Sequence, residues 1–151
     1  MRPTSTGVCV TAAVLSLAGA VAFAQDKPET GREIIVPVPG ANTTVALWLP
    51  TNYNARTRWP AAVFYPDRPT TRTADRLRRL GPESAECIVV GIPTPKKAAP
   101  IEDVATTFRQ VRKWLTAKFA VDRKRLFVGG RGWGGQIAGH VADIADSEIS
   151  G

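Results

Sequence analysis

The amino-acid sequence predicts an α/β fold, with a mainly parallel sheet, flanking helices and an antiparallel hairpin at its start. Short runs rich in β-branched and aromatic residues recur along the chain and alternate with helix-like stretches, which is typical of parallel sheets. In one of those stretches, apolar residues recur at the spacing of an α-helix. One run, CIVVGI at 87–92, is apolar throughout, as in a strand buried on both faces. The 151 residues allow one domain at most.

The first 24 residues predict a cleavable export signal. Arg2 is the only charged residue before Asp26, residues 8–24 are almost wholly apolar, and the run ends in the small-x-small pattern of Ala22 and Ala24. We therefore expect a secreted or periplasmic protein that begins at position 25 and has no stable membrane span after cleavage. Residues 25–32 then form a polar linker, and 33–151 form a partial α/β domain.

The hairpin and the next strand come first in this domain. Strands are predicted over 33–38 and 44–49, on either side of a turn-rich link. Pro37 lacks an N–H and places the first strand at an edge of the sheet. A buried strand follows over 61–65, and a short basic helix over 73–80.

The second half of the domain contains the clearest helix. It is predicted over 101–119, where apolar residues recur every three or four positions and form one stripe along the helix. These residues are Ile101, Val104, Phe108, Val111 and Leu115. A short buried strand is predicted over 126–128, a helix over 136–144, and the start of a further strand at 149. Because 126–128 is the last complete strand, it is expected to be an open edge that could pair with another chain.

Composition narrows the possible functions. The net charge of +7 arises from 20 basic and 13 acidic residues spread along the chain, and no aromatic residues are interleaved among the arginines of the basic region 66–99. No nucleic-acid partner is therefore expected. The only Cys and His residues are Cys9, Cys87 and His140, which excludes a disulfide scaffold and a zinc site of Cys and His ligands. Neither a metal nor a cofactor is predicted.

A glycine-rich turn at 129–135 joins the last buried strand to the last helix and is the candidate site. Gly130, Gly132 and Gly135 spell G-x-G-x-x-G, as in dinucleotide-binding folds, but the acidic residue expected about 20 positions later would fall beyond residue 151. Alternatively, Arg131 and the helix N-terminus could bind an anion such as phosphate or carboxylate. A third interpretation rests on a family resemblance.

From Leu49 to Asp146 the chain resembles α/β-hydrolases of the carboxylesterase, feruloyl-esterase and depolymerase type. Leu49-Pro50 with Tyr53, followed by WPAAVF at 59–64, is similar to the opening of those enzymes. The helix at 107–119 and VDRKRLFVGG at 121–130 are similar to the helix and strand that lead to their nucleophile elbow.

The resemblance implies specific roles for residues of the turn and shows that the nucleophilic serine is missing. Gly132 stands where the nucleophilic Ser is expected, Gly130 and Gly134 are elbow glycines, and the N–H of Trp133 takes the oxyanion position. Asp67 stands near the oxyanion loop, where its charge has the wrong sign.

The remaining triad residues are also missing. His140 lies two helical turns past the apex of the turn, and the acids after it (Asp143, Asp146 and Glu148) come too soon to lie on a later strand. The sequence thus predicts an exported, esterase-related protein that is inactive or truncated. The alternative is a non-catalytic anion- or nucleotide-binding module that uses the turn at 130–135.

Overall fold

The structure, a computed structural model, describes residues 28–67, 86–96 and 99–145. The predicted export signal, residues 25–27 of the linker, the helix over 73–80 and the strand start at 149 lie outside these ranges. The described residues form five strands and two helices, namely β1 (Glu33–Pro37), β2 (Thr44–Trp48), β3 (Trp59–Tyr65), β4 (Ile88–Gly91), α1 (Ile101–Lys118), β5 (Val121–Gly130) and α2 (Trp133–Ile144).

The five strands form one sheet in the order β1-β2-β4-β3-β5. β2 is antiparallel to both β1 and β4, whereas β3 is parallel to both β4 and β5. Four strands therefore run in one direction and only β2 is reversed. This confirms the predicted hairpin and mainly parallel sheet, and it places β1 and β5 at the two edges.

Both helices pack on one face of this sheet. Along β3 the side chains alternate, and Trp59, Ala61, Val63 and Tyr65 point into the same buried cluster as the apolar stripe of α1. α2 adds Ile137, Ala138 and Val141 to that cluster. Trp48 and Val89 form a smaller buried cluster of their own.

Three elements begin earlier than the sequence predicts, and β3 does so by two residues, at Trp59 instead of 61. β5 starts at Val121 instead of 126, through a polar segment that bulges between the pairs Trp59–Val121 and Ala61–Leu126. In that segment the carboxylate of Asp122 accepts hydrogen bonds from the N–H of Lys124 (3.0 Å) and Nε of Arg125 (2.8 Å). α2 starts at Trp133 instead of 136, so two of the turn glycines lie within the helix.

Candidate functional site

The connection between β5 and α2 is a sharp turn centred on Gly132. β5 ends at Gly130 and α2 begins at Trp133, so only two residues join them. Gly132 has φ 56° and ψ −125°, a backbone conformation that residues with a Cβ rarely adopt. The turn therefore requires glycine at this position, or a side chain held there under strain.

Neighbouring glycines allow α2 to lie directly on the strand ends. A Cβ at Gly134 would lie 2.1 Å from the carbonyl oxygen of Tyr65, and a Cβ at Gly130 would lie 2.2 Å from the carbonyl oxygen of Gly134. The carbonyl of Tyr65 also accepts a hydrogen bond from the N–H of Arg131 at 3.1 Å. The ends of β3 and β5 and the first turn of α2 are thus held in backbone contact.

The side chain of Asp67 reaches this turn from the end of β3. A Cβ at Gly132 would lie 2.6 Å from Oδ1 of Asp67 and 3.5 Å from Oδ2. Contacts under about 3 Å between such atoms do not persist, so a side chain at position 132 would require the exposed carboxylate of Asp67 to move.

The carboxylate lies at the positive end of α2. The carbonyl of Gly132 accepts the first helical hydrogen bonds, from the N–H groups of Gly135 (3.0 Å) and Gln136 (3.4 Å). The N–H groups of Trp133 and Gly134 precede those bonds and have no partner within the helix. A negative charge near a helix N-terminus is favoured by the helix dipole, and the carboxylate of Asp67 lies close to Gly132, the residue that precedes α2.

The loop after β4 forms hydrogen bonds with the turn and with the end of β3. Nε1 of Trp133 donates a hydrogen bond to the carbonyl of Pro95 at 3.0 Å. The hydroxyl of Thr94 donates to the carbonyl of Pro66, next to Asp67. The half-buried indole of Trp133 is therefore held against the loop after β4, and Trp133 itself is the first residue of α2.

Most residues singled out from the sequence meet at this turn. Gly130, Gly132, Gly134, Trp133 and Asp67 are brought together, and Arg131 is exposed beside them. His140, in contrast, is exposed on α2, eight residues or about 12 Å along the helix from Gly132.

Two kinds of feature are absent from the described ranges. They contain no group of three His, Cys, Asp or Glu residues that could hold a metal ion, and no helix long and apolar enough to cross a membrane.

Sequence reasoning missed a cavity of about 180 Å³ beside the turn. It lies between the β1–β2 link, the loop after β4 and the start of α1, and its lining includes Asn42, Tyr65, Pro95, Asp103 and Thr107. The ring of Tyr65 is buried, and this burial raises the pKa of its hydroxyl far above the ordinary value, so the phenol stays neutral. The cavity could not be predicted from the sequence, because these segments are far apart along the chain and only the order of the strands brings them together.

Comparison with solved structures places this geometry in a known fold. The chain is 27% identical to an ester hydrolase (EH1AB1) from the metagenome of Lake Arreo, with a TM-score of 0.58 over 83% of this chain and 43% of that one. The α/β-hydrolase LAE6 from the same lake in Spain is 26% identical, with a TM-score of 0.57 over the same shares. The feruloyl esterase module of Clostridium thermocellum is 12% identical, with a TM-score of 0.61 over 78% of this chain and 50% of that one.

The chain has part of an α/β-hydrolase fold. It spans half or less of the length of these three hydrolases. No family model and no curated protein matches the sequence. The hydrolase fold predicted from the strand and turn motifs is thus confirmed by structural likeness.

Proposed function

We propose that this chain is an exported, esterase-related protein of the α/β-hydrolase fold that does not hydrolyse esters. The observation that carries the proposal is the contact between Gly132 and Asp67. Gly132 offers no nucleophilic atom at the turn, and the carboxylate of Asp67 fills the space beside it. Acyl transfer through an enzyme-bound ester requires a side-chain nucleophile at the reacting carbon.

The charge of Asp67 also opposes this chemistry. Ester hydrolysis builds a negative charge on the carbonyl oxygen, and hydrolases stabilise that charge with N–H groups. The corresponding N–H groups here follow Gly132 at the start of α2, and an added Cβ at Gly132 would lie 2.6 Å from Oδ1 of Asp67. A second negative charge at the same place would be repelled, so the turn is unsuited to an ester transition state.

The described residues place no imidazole at the turn either. A serine hydrolase needs an imidazole within hydrogen-bond reach of its nucleophile, and that imidazole needs an acid to orient it. His140 is the only histidine of the chain and lies on the exposed side of α2, about two turns from Gly132. Restoring a serine alone would therefore not restore turnover.

An anion- or nucleotide-binding role for the same turn has less support. Arg131 is exposed beside the helix N-terminus, as such a role requires. The carboxylate of Asp67, however, lies near Gly132, at the start of α2, where it would repel a phosphate group. The alternative predicts heat on titration of the parent chain with phosphate or ATP, and loss of that heat in Arg131→Ala.

Export is the remaining part of the proposal and rests on residues 1–24. Intact mass of the protein recovered outside the cytoplasm tests it. The expected product begins at Gln25, and a product that retains residues 1–24 would contradict the proposed cleavage.

Turnover of p-nitrophenyl acetate and methyl ferulate by the purified chain tests the absence of hydrolysis. We expect rates equal to those of the unfolded chain at the same concentration. Turnover by the folded chain that a serine-directed phosphonate abolishes would contradict the proposal. The variant Asp67→Asn is the matched control, because it removes the charge at the turn but adds neither a nucleophile nor a base.

A further inference from the structure

Two segments of the chain meet at the end of the sheet opposite the turn at Gly132. They are residues 52–59, which lead into β3, and residues 117–125, which include the end of α1 and the start of β5. Because β3 and β5 are parallel, their first residues lie at one end of the sheet and the turn after β5 lies at the other. β3 has seven residues, so about 20 Å separates the two ends.

Hydrogen bonds hold these two segments together. The N–H of Trp59 donates to the carbonyl of Ala120 at 2.8 Å, and the hydroxyl of Tyr53 accepts from the N–H of Ala120 at 3.0 Å. A side chain crosses between the segments as well, since Nη2 of Arg125 donates to the carbonyl of Arg58 at 3.2 Å. The side chains of both segments therefore share one surface.

Exposed cations are concentrated on this surface. The two segments contain one acidic residue, Asp122, whose carboxylate accepts a hydrogen bond from Nε of Arg125 at 2.8 Å. They contain six basic residues, and all six are exposed, namely Arg56, Arg58, Lys118, Arg123, Lys124 and Arg125. These six side chains form the basic patch. Together with Asp122 they account for five of the seven net positive charges of the chain.

The basic patch extends over two layers of the fold. Lys118 is the last residue of α1 and belongs to the helix layer, whereas Arg58 and Arg123 lie at strand ends in the sheet layer. The cations therefore cover an area and do not follow a single row. A plane of anionic head groups meets such an area as a whole, whereas one extended polyanion follows one row of charges.

An aromatic side chain lies beside these cations. Trp114 is partly exposed and, four residues before Lys118, shares a face of α1 with it. The edge of its ring system packs against Phe119, with the ring centroids 5.6 Å apart. A partly exposed tryptophan next to Lys and Arg is typical of surfaces that lie at the interface between a membrane and water.

We propose that this end of the chain binds the surface of membranes that contain anionic phospholipids. The basic patch lies against the phosphate groups, and Trp114 lies at the level of the head groups. Each Lys or Arg near such a surface strengthens the association about fivefold. The turn at Gly132 then faces away from the membrane, and the proposal is independent of the proposed function.

Co-sedimentation of the purified chain with lipid vesicles at about 0.1 M salt tests the proposal. One set of vesicles is phosphatidylcholine alone, and the other contains equal amounts of phosphatidylcholine and phosphatidylglycerol. We expect the partition coefficient onto the anionic vesicles to be at least about tenfold higher, and to fall as added salt screens the charges. The apolar residues 1–24 are present in both measurements, so they do not account for the difference.

The double variant Arg56→Gln and Arg123→Gln removes one cation from each segment. Neither side chain forms a hydrogen bond or an ion pair with a described residue, so the fold should persist, which thermal unfolding checks. We expect the partition coefficient onto the anionic vesicles to fall about fivefold per cation, or about 25-fold in all.

The double variant Lys96→Gln and Arg109→Gln is the matched control, because it removes the same charge from exposed positions outside the basic patch. Lys96 follows β4, at the end of the sheet that carries the turn, and Arg109 lies about 13 Å along α1 from Lys118. Both distances exceed the Debye length of about 10 Å at this salt concentration. We expect the partition coefficient to fall less than about twofold.

Quenching of tryptophan fluorescence by brominated lipids tests which end of the chain faces the membrane, even if a charge variant fails to fold. Trp114 lies beside the basic patch, and the half-buried Trp133 lies at the opposite end of the sheet. We expect Trp114→Phe to remove most of the quenching and Trp133→Phe to leave it. The reverse result would overturn the proposed orientation.

Three other results would overturn the proposal as a whole. Equal binding to neutral and anionic vesicles would show that the charge of the lipid does not matter. Equal losses in the two double variants would assign the binding to the net charge of the chain and not to the basic patch. Binding to polygalacturonate but not to the anionic vesicles would show that the partner is an acidic polysaccharide.

Discussion

The carboxylate of Asp67 and the backbone of Gly132 occupy complementary space. A Cβ at position 132 would lie 2.6 Å from Oδ1 of Asp67, although 65 residues separate the two positions in the sequence. Gly132 also has a positive φ of 56°, so two independent features disfavour a side chain there. The contact links the end of β3 to the turn after β5, and the proposed loss of hydrolysis rests on it.

Gly132→Ala should destabilise the fold by about 1–3 kcal/mol, because a Cβ adds backbone strain and meets Asp67. In the Asp67→Ala background the same substitution should cost less, since only the backbone strain remains. Urea unfolding of the four chains of this double-mutant cycle measures the difference. Equal costs in the two backgrounds would show that the two residues do not compete for space.

Gly134→Ala should be more disruptive than Gly132→Ala. The added Cβ would meet the carbonyl oxygen of Tyr65 at 2.1 Å, and a backbone atom in a sheet cannot swing aside as a carboxylate can. We expect a loss of about 3 kcal/mol or more in the free energy of unfolding, from displacement of α2.

Gly139→Ala on the same helix is the matched control, because nothing lies within 4 Å of its Cβ. Replacing a helical glycine by alanine at such a site should raise stability by about 0.5–1 kcal/mol. If both alanine variants destabilised α2 equally, the close approach at Gly134 would not be the cause.

Trp133→Phe should lower stability by about 1 kcal/mol through loss of the hydrogen bond from Nε1 to the carbonyl of Pro95. The aromatic ring is retained, so most of the packing should persist. Thermal unfolding measures the loss. Unchanged stability would mean that solvent replaces the bond, and that the loop after β4 is not held to α2 by the indole.

Cys87 should react slowly with thiol reagents in the folded chain. Burial raises the pKa of its thiol to about 11, so little reactive thiolate is present at neutral pH. The rate of alkylation should rise about tenfold per pH unit from 8 to 10 and level off near 11. A plateau near pH 8.5, the ordinary value for an exposed thiol, would contradict this environment.

The same pKa shift sets the sign of a stability change. A thiol whose pKa is raised in the folded state holds its proton there after the unfolded chain has lost it. The free energy of unfolding should therefore fall as the pH rises from about 8.5 to 11. In Cys87→Ala that part of the alkaline loss should disappear.

The fold was predictable where pattern and packing agree. The apolar stripe of α1 and the apolar run of β4 each define one element, and the structure places both within a residue of the predicted bounds. β5 was predicted too short because its first half is polar, and pairing with β3 overrides that composition. The start of α2 was missed because glycine disfavours helices, whereas here Gly134 allows the helix to touch β3.

The candidate site was predictable in its residues and not in its contacts. Gly132 stands out because the strand-to-helix motif requires glycines at fixed spacing. The approach of Asp67 to that glycine depends on β3 and β5 being neighbours, which no local pattern encodes. The cavity beside Tyr65 depends on the sheet order in the same way, since its lining comes from four separate segments.

Labelling with a fluorophosphonate, read by intact mass, tests the central claim most directly. The folded parent chain should gain no phosphonate, because position 132 has no hydroxyl. Gly132→Ser should also stay unlabelled, because the described residues place no imidazole within reach of the new hydroxyl. If the folded parent gained one phosphonate per molecule and the unfolded parent gained none, the chain would contain a serine activated by its fold. That result would contradict the account, because the turn contains no such serine.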